Sequence, residues 1–139
     1  MVDTFWTILE VEEQTIRNSA KINLTISEMH LIEAIGKNEN MGITISDLAD
    51  EMRITRPSVT IAVNKLVKKG YVNKIKALND GRLVLVTLTK QGLKMDSIHR
   101  YFHRTMVRNI EKEFSPEEKV LLIKAIDKLN VFFKSMLKA

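Results

Sequence analysis

Over residues 3–21, Phe5, Leu9, Glu12, Ile16 and Ala20 follow one another at steps of three and four. That is the spacing of one helical face, with the acid Glu12 set into an otherwise apolar stripe. Asn23 to Ile26 breaks the pattern. Ser27 then stands where it would cap a second helix reaching Asn38, with Met29, Ile32 and Ile35 turned inward. Asn38, Asn40 and Gly42 mark a loop. A short helix from Asp47 to near Arg53 follows, with Ser46 as its cap and Leu48, Ala49 and Met52 as its apolar positions. Ile54 and Thr55 make a tight connection to a further helix. Thr55 caps it, Pro57 sits in its first turn, where a missing N–H costs nothing, and Gly70 stops it. Its apolar face is Val59, Ala62, Val63 and Leu66.

Past Gly70 the composition changes. Tyr71–Lys76 and Leu83–Thr89 are rich in Val, Ile, Leu and Thr and flank Asn79-Asp80-Gly81, which predicts a β-hairpin with a polar tip. Thr89 caps a long helix ending near Glu113. Ser115-Pro116-Glu117-Glu118 is a capping box with proline at the first helical position, and it opens a last helix with Leu122, Ile126, Leu129, Phe133 and Met136 on one stripe. The order is α-α-α-α-β-β-α-α, with no internal repeat, linker or low-complexity segment. The expected fold is mostly α with a small β-hairpin, in one continuous unit.

Composition narrows the chemistry. The chain has 139 residues, enough for one ordinary domain or one subunit of a small oligomer. It contains no cysteine, which excludes disulfides, zinc fingers, iron–sulfur clusters and a thiol nucleophile together. No apolar run approaches the roughly 18 residues a membrane span requires. The acidic start, MVDTFWTILEVEEQ, lacks a signal peptide's basic beginning and small-residue end, so a cytoplasmic location is expected.

Charge changes the picture more than its sum of +5 suggests. Residues 1–52 hold three basic side chains against ten acidic, and residues 91–139 ten against six. Between them, residues 53–90 hold nine basic side chains (Arg53, Arg56, Lys65, Lys68, Lys69, Lys74, Lys76, Arg82, Lys90) against Asp80 alone. So one-sided a block suits a polyanion, because each neutralised phosphate releases condensed counterions. A solvated basic face is the plain alternative.

Local architecture decides between them. Short helix, tight turn, second helix and hairpin is the order of a winged helix-turn-helix, in which the first helix props the second against the major groove of a duplex. Opposite the apolar stripe of that second helix lie Pro57, Thr60, Ile61, Asn64 and Lys68, and Lys65 on the same helix is a further candidate contact. Asn64 suits a bidentate bond to adenine, Thr60 donates or accepts, and Ile61 suits a thymine methyl. Arg56 and Ser58 stand at the helix start for phosphates or base edges. At the hairpin tip Arg82 suits the electronegative minor groove, with Asp80 beside it to hold the guanidinium.

Residues 27–92 resemble the core of the MarR family of bacterial transcriptional regulators. The likeness rests on Ile45-Ser46-Asp47-Leu48-Ala49, Thr55-Arg56-Pro57-Ser58-Val59-Thr60, Leu66-Val67-Lys68-Lys69-Gly70-Tyr71-Val72, Asp80-Gly81-Arg82 and Leu88-Thr89-Lys90-Gln91-Gly92. The resemblance implies a homodimer joined by its terminal helices, here residues 1–26 and 93–139, around two DNA-binding lobes. The apolar stripes of those helices, with Phe5, Trp6, Phe132 and Phe133, agree with it. Within the family, Ile26-Ser27-Glu28-Met29-His30 and Ile98-His99-Arg100-Tyr101-Phe102-His103 with Met106-Val107 look most like the branch that represses fatty-acid-biosynthesis genes. That likeness implies a long-chain acyl effector on acyl carrier protein. Arg100, Arg104 and Arg108, four apart, would dock the acidic carrier, though they equally suit solvent or a DNA backbone.

His99 and His103 stand at i and i+4, the spacing at which two imidazoles share a metal, in line with Val107 and Ile110 and so expected to face inward. A zinc-responsive branch of the family uses a glutamate and three histidines on the equivalent elements, which makes Glu12, His30, His99 and His103 a candidate site. The same residues also make a buried hydrogen-bonded cluster without metal. No cofactor is required. A zinc peptidase would need glutamate directly after the first histidine, where Arg100 stands, and no nucleophile triad or phosphate-cradling loop appears, so the chain is not read as an enzyme. The expectation is a homodimeric repressor of a pseudo-palindromic operator, tuned by an acyl or other small-molecule effector. The alternatives are a zinc-responsive regulator and, from another class, a dimeric interaction module without DNA binding.

Overall fold

The computed structural model describes residues 2–18, 23–38, 41–77 and 80–137, with residues 2, 3, 5, 13, 15–18, 80 and 81 as backbone only. The elements are α1 (Val2–Asn18), α2 (Ile26–Gly36), β1 (Ile43–Thr44), α3 (Ile45–Met52), α4 (Arg56–Lys69), β2 (Val72–Ala77), β3 (Asp80–Leu88), α5 (Lys90–Lys112) and α6 (Pro116–Met136). Predicted positions Ala20, Asn40 and Asn79 lie outside the described residues, as do the side chains of Phe5 and Ile16. The chain divides into two compact units, residues 1–98 and residues 99–139.

Two helix starts differ from expectation, for one reason. The cap of α2 is Thr25, not Ser27: its hydroxyl accepts from the Glu28 N–H while the Glu28 carboxylate accepts from the Thr25 N–H, both at 3.1 Å. The cap of α3 is Thr44, not Ser46, its hydroxyl accepting from the Asp47 N–H at 3.0 Å. Each true cap stands three residues before an acid, whose charge also favours the positive helix start. Thr55 and Ser115 cap α4 and α6 as expected.

The first unit is built on a three-stranded antiparallel sheet in the order β1-β3-β2. The two-residue strand β1, too short to show a period, pairs Ile43 with Val86 and Thr44 with Leu85. The hairpin closes earlier than predicted, through a rung between Ala77 and Asp80, so β3 begins at Asp80 rather than Leu83. The next rung joins Lys76 to Val84, which leaves Gly81, Arg82 and Leu83 as extra residues on β3. Such a bulge bends and twists the strand that carries it.

The core collects α2, α3, α4 and the sheet. Ile32, Leu48, Val59, Val63, Leu66 and Val86 are wholly buried, joined by Met29, Leu31, Ile35, Val72 and, from α5, Met95. Gly70 ends α4 with φ 87°, a left-handed turn that a side chain would strain. Thr89 closes the junction behind it. Its hydroxyl donates to the Gly70 carbonyl at 2.6 Å and accepts from the Gly92 N–H at 3.1 Å, while its N–H donates to the Tyr71 carbonyl at 3.0 Å. A Cβ on Gly92 would collide with that same Tyr71 carbonyl, so glycine is required there.

The second unit holds the rest of α5 and α6. No described residue of α6 is buried, and Leu121, Ile123, Ile126, Phe132, Phe133 and Met136 are all exposed. Val107 and Ile110, expected to face inward, are exposed as well. In a single chain this unit has too little interior to cover them.

Burial pushes the Glu28 carboxyl up, but hydrogen bonds from Lys69 and from the Thr25 N–H outweigh it and hold the group below its ordinary 4.5. The stability this contributes is complete above that ordinary value and is lost as pH falls through the lowered folded value. Acid titration of thermal stability should therefore show a shallower acid limb in Glu28→Gln than in the wild type. Leu66→Ala, emptying a wholly buried position, should lower unfolding free energy by about 2–5 kcal/mol in urea titrations.

Candidate nucleic-acid interface

Burial of Val59, Val63 and Leu66 fixes the rotation of α4 about its own axis. The same rotation turns Pro57, Ile61, Asn64, Lys65 and Lys68 to solvent, with Arg56 and Ser58 exposed at the first turn. Thr60 lies at the flank, half-buried. Ile61 is 59% exposed, a β-branched hydrocarbon between an amide and two ammonium groups. Water alone gives no reason for it there.

The start of α4 is tightly organised. The Thr55 hydroxyl accepts from the Ser58 N–H at 3.3 Å and donates to the Ser58 hydroxyl at 2.8 Å. α2, α3 and α6 carry acids in their first turns; α4 and α5 have none, α4 beginning with Arg56 and α5 with Lys90. A cation at the positive end of a helix dipole is unfavourable by a few tenths of a kcal/mol to about 1 kcal/mol, and an approaching anion reverses the sign. The turn before it is held by Arg53, whose left-handed φ of 57° ends α3 and re-aims the chain into α4.

On the hairpin, Asn73, Lys74, Ile75 and Lys76 of β2 and Arg82 and Leu83 of β3 are exposed. Arg82 sits within the three-residue bulge, so its direction departs from the regular alternation of the strand. Whether Asp80 holds the guanidinium concerns a side chain outside the described residues. Lys74 and Lys76, two apart on β2 and so on one face of the strand, are both exposed, and so are their neighbours Asn73 and Ile75.

One member of that block turns away from solvent. The Lys69 ammonium donates to Glu28 Oε1 at 2.9 Å and to the Asn23 carbonyl at 2.5 Å. It leaves the electrostatic footprint that the charge count assigned to it.

The remaining candidate residues fall into the two units separately. In the first, Glu12 has a side chain only 14% exposed and accepts from His30 Nε2 at 2.9 Å, the partner that a buried acid requires. In the second, His99 is buried, His103 half-buried, and their ring centroids stand 4.4 Å apart, edge to face. Arg100, Arg104 and Arg108 are exposed along α5. Among the described residues, no helix is long and apolar enough to cross a membrane.

A family model described as MarR family matches residues 22–83. Streptococcus pneumoniae FabT, solved in complex with DNA, is 32% identical with a TM-score of 0.92, over 97% of this chain and 93% of that one. Staphylococcus aureus MepR, also solved in a DNA complex, is 19% identical with a TM-score of 0.75, over 94% and 96%, a likeness of fold. YhjH of Bacillus subtilis, an uncharacterised HTH-type transcriptional regulator, is 27% identical over 95 residues, 68% of this chain. The match spans about half of that protein's length, 53%.

If the outer face of α4 bears no load in the folded chain, Ile61→Ala, Asn64→Ala and Lys68→Ala should each change unfolding free energy by no more than about 0.5 kcal/mol. Val63→Ala, one residue from Asn64 on the inner face, should cost about 1–3 kcal/mol. Parallel urea titrations of the four variants check the contrast.

Proposed function

The chain belongs to the MarR family, whose relatives described above are regulators of transcription and not enzymes, and from that premise we propose that it is a sequence-specific DNA-binding repressor, cytoplasmic and homodimeric. The observation that carries this is the outer face of α4. Arg56, Pro57, Ser58, Thr60, Ile61, Asn64, Lys65 and Lys68 form an apolar, amide and cationic strip that folding leaves accessible. A major groove is wide enough to admit such a helix, with Asn64 reading adenine, Ile61 lying against a thymine methyl and the lysines on phosphates. Arg82, with Asp80 beside it in sequence, reaches the adjoining minor groove.

The dimer reading is supported by the second unit. Apolar surface this extensive on α6 is uncommon in a monomer, and a second copy would cover it. Two α4 helices would then meet a pseudo-palindromic operator about one helical turn apart. An effector held among the terminal helices alters their spacing and so the joint engagement of both half-sites. The branch resemblance makes that effector a long-chain acyl group on acyl carrier protein, docked at Arg100, Arg104 and Arg108. A second reading has zinc as the effector, held by Glu12, His30, His99 and His103. It is favoured by the carboxylate–imidazole donor chemistry and by the neighbouring rings of His99 and His103.

Fluorescence anisotropy on a duplex that the wild-type protein selects from a random library tests the main reading. Binding should weaken steeply with salt, and Lys65→Ala or Lys68→Ala should each reduce the log–log salt slope by about one. Asn64→Ala should lose about 1–3 kcal/mol of discrimination. A monomeric protein without preference for any duplex at low ionic strength overturns the proposal and leaves a module of another class. Native mass spectrometry of the purified dimer separates the effectors: a bound fatty acyl species supports the first, and bound zinc, lost on His99→Ala, the second.

A further inference from the structure

The inner end of α4 is tied to the rest of the first unit by polar contacts that the core does not require. Lys69 is its last residue. Its ammonium is drawn inward to Glu28 Oε1 at 2.9 Å and to the Asn23 carbonyl at 2.5 Å, and its side chain is 28% exposed. Glu28 is a buried acid at the start of α2, where the same oxygen accepts the Thr25 N–H. Its other oxygen, Oε2, is buried and accepts from none of the described residues. Two residues past Lys69, the Tyr71 hydroxyl donates to Asn23 Oδ1 at 3.2 Å. Asn23, just ahead of α2, thus receives one bond from the end of α4 and another from the residue that opens the hairpin.

Hydrophobic packing alone defines α4 less sharply in two respects, axial position and tilt. The stripe of Val59, Val63 and Leu66 sets which face looks outward, but nonpolar contacts are non-directional, whereas a polar bond has a preferred direction. A charge-assisted hydrogen bond is short and directional, and here it lies at the end of the helix remote from the Arg53–Thr55 turn. The turn fixes one end; at the other, where Thr89 already holds the Gly70 carbonyl, Lys69 adds a directional tie to α2 that sharpens axial position and tilt. A buried ion pair adds little net stability over apolar residues of similar volume, and its best-attested use is to specify one arrangement among several.

We propose that Lys69 and Glu28, with Asn23 as the second acceptor, are positioning residues for sequence discrimination: they hold the tilt and axial register at which α4 presents Ile61 and Asn64, without touching DNA themselves. The proposal rests on the reading of α4 as the helix that enters the groove. It distinguishes two neighbouring lysines by role. Lys68 supplies charge to the interface, whereas Lys69 supplies geometry to the residues that read bases.

The test uses full-length Lys69→Met, which keeps the aliphatic stem, and Glu28→Gln, which keeps the helix cap because glutamine serves equally in a capping box. Lys68→Ala is the comparison. Anisotropy is measured across a salt series on the duplex selected by the wild-type protein and on a scrambled duplex of equal length, with thermal unfolding alongside. Lys69→Met and Glu28→Gln should each lower affinity for the selected duplex about tenfold, the loss from one misaligned base contact, with scrambled-duplex affinity and salt slope unchanged. Lys68→Ala should weaken both duplexes and flatten the slope by about one. A flattened slope in Lys69→Met would make Lys69 a phosphate contact and overturn the proposal. Lowered thermal stability with an unchanged ratio between duplexes, in either variant, would reduce the pair to a structural role and overturn it too. Absence of salt-dependent binding in the wild type would overturn the reading beneath it, and is seen before any variant is measured.

Discussion

One helix must be dry on one side and bare on the other, and the rest of the molecule serves that division. Val59, Val63 and Leu66 are wholly buried, and each such side chain contributes about 1.5–3 kcal/mol relative to exposure. Turning α4 by one residue would forfeit several of these contributions together. The helix is thereby locked with Asn64 and Lys68 outward. α3 supplies Leu48 and Ala49 beneath it, α2 supplies Ile32 and Ile35, and the sheet supplies Val72 and Val86. The basic charge of the central segment follows from the same division, since only residues the core does not claim are available to carry it.

Much of this was legible in the order of residues, and the misses have physical causes. The winged helix-turn-helix order, the caps at Thr55 and Ser115 and the stop at Gly70 are local, each decided within a few residues. Ser27 and Ser46 were plausible caps displaced by Thr25 and Thr44, and the deciding acids, Glu28 and Asp47, were present in the sequence. Strand β1 was not legible, because it exists only through its pairing with β3. The closing rung Ala77–Asp80 and the bulge after it are likewise products of pairing. Lys69 belongs to the basic block by charge alone, and its inward turn was not legible because its carboxylate partner stands 41 residues away. Of the candidate effector residues, Glu12 is half-buried and meets His30 in a hydrogen bond, a contact between elements that the spacing of neither helix could show.

The two units differ in how their apolar residues are used. In the first, the large aliphatic side chains of α2, α3 and α4 find each other within one chain. In the second, α6 is apolar along its length yet buries none of its described residues. Phe132 and Phe133 pack edge to face, 5.4 Å apart, and remain exposed. Folding of a single copy therefore buries the core formed by α2, α3, α4 and the sheet, and leaves the apolar residues of the second unit, like Trp6, Ile8 and Val11 of α1, exposed. Under the dimer reading, stability and association in that half are one quantity, and it varies with protein concentration.

The Thr89 hydroxyl has a consequence for how such a protein could be tuned. By bonding Gly70 and Gly92 at once, with Gly92 pressed on the Tyr71 carbonyl, it welds the tail of α4, the root of the hairpin and the opening turn of α5 into a single knot. A caliper with a welded joint has one gauge setting. A joint of this kind couples helix to wing, so that a displacement of one carries the other with it.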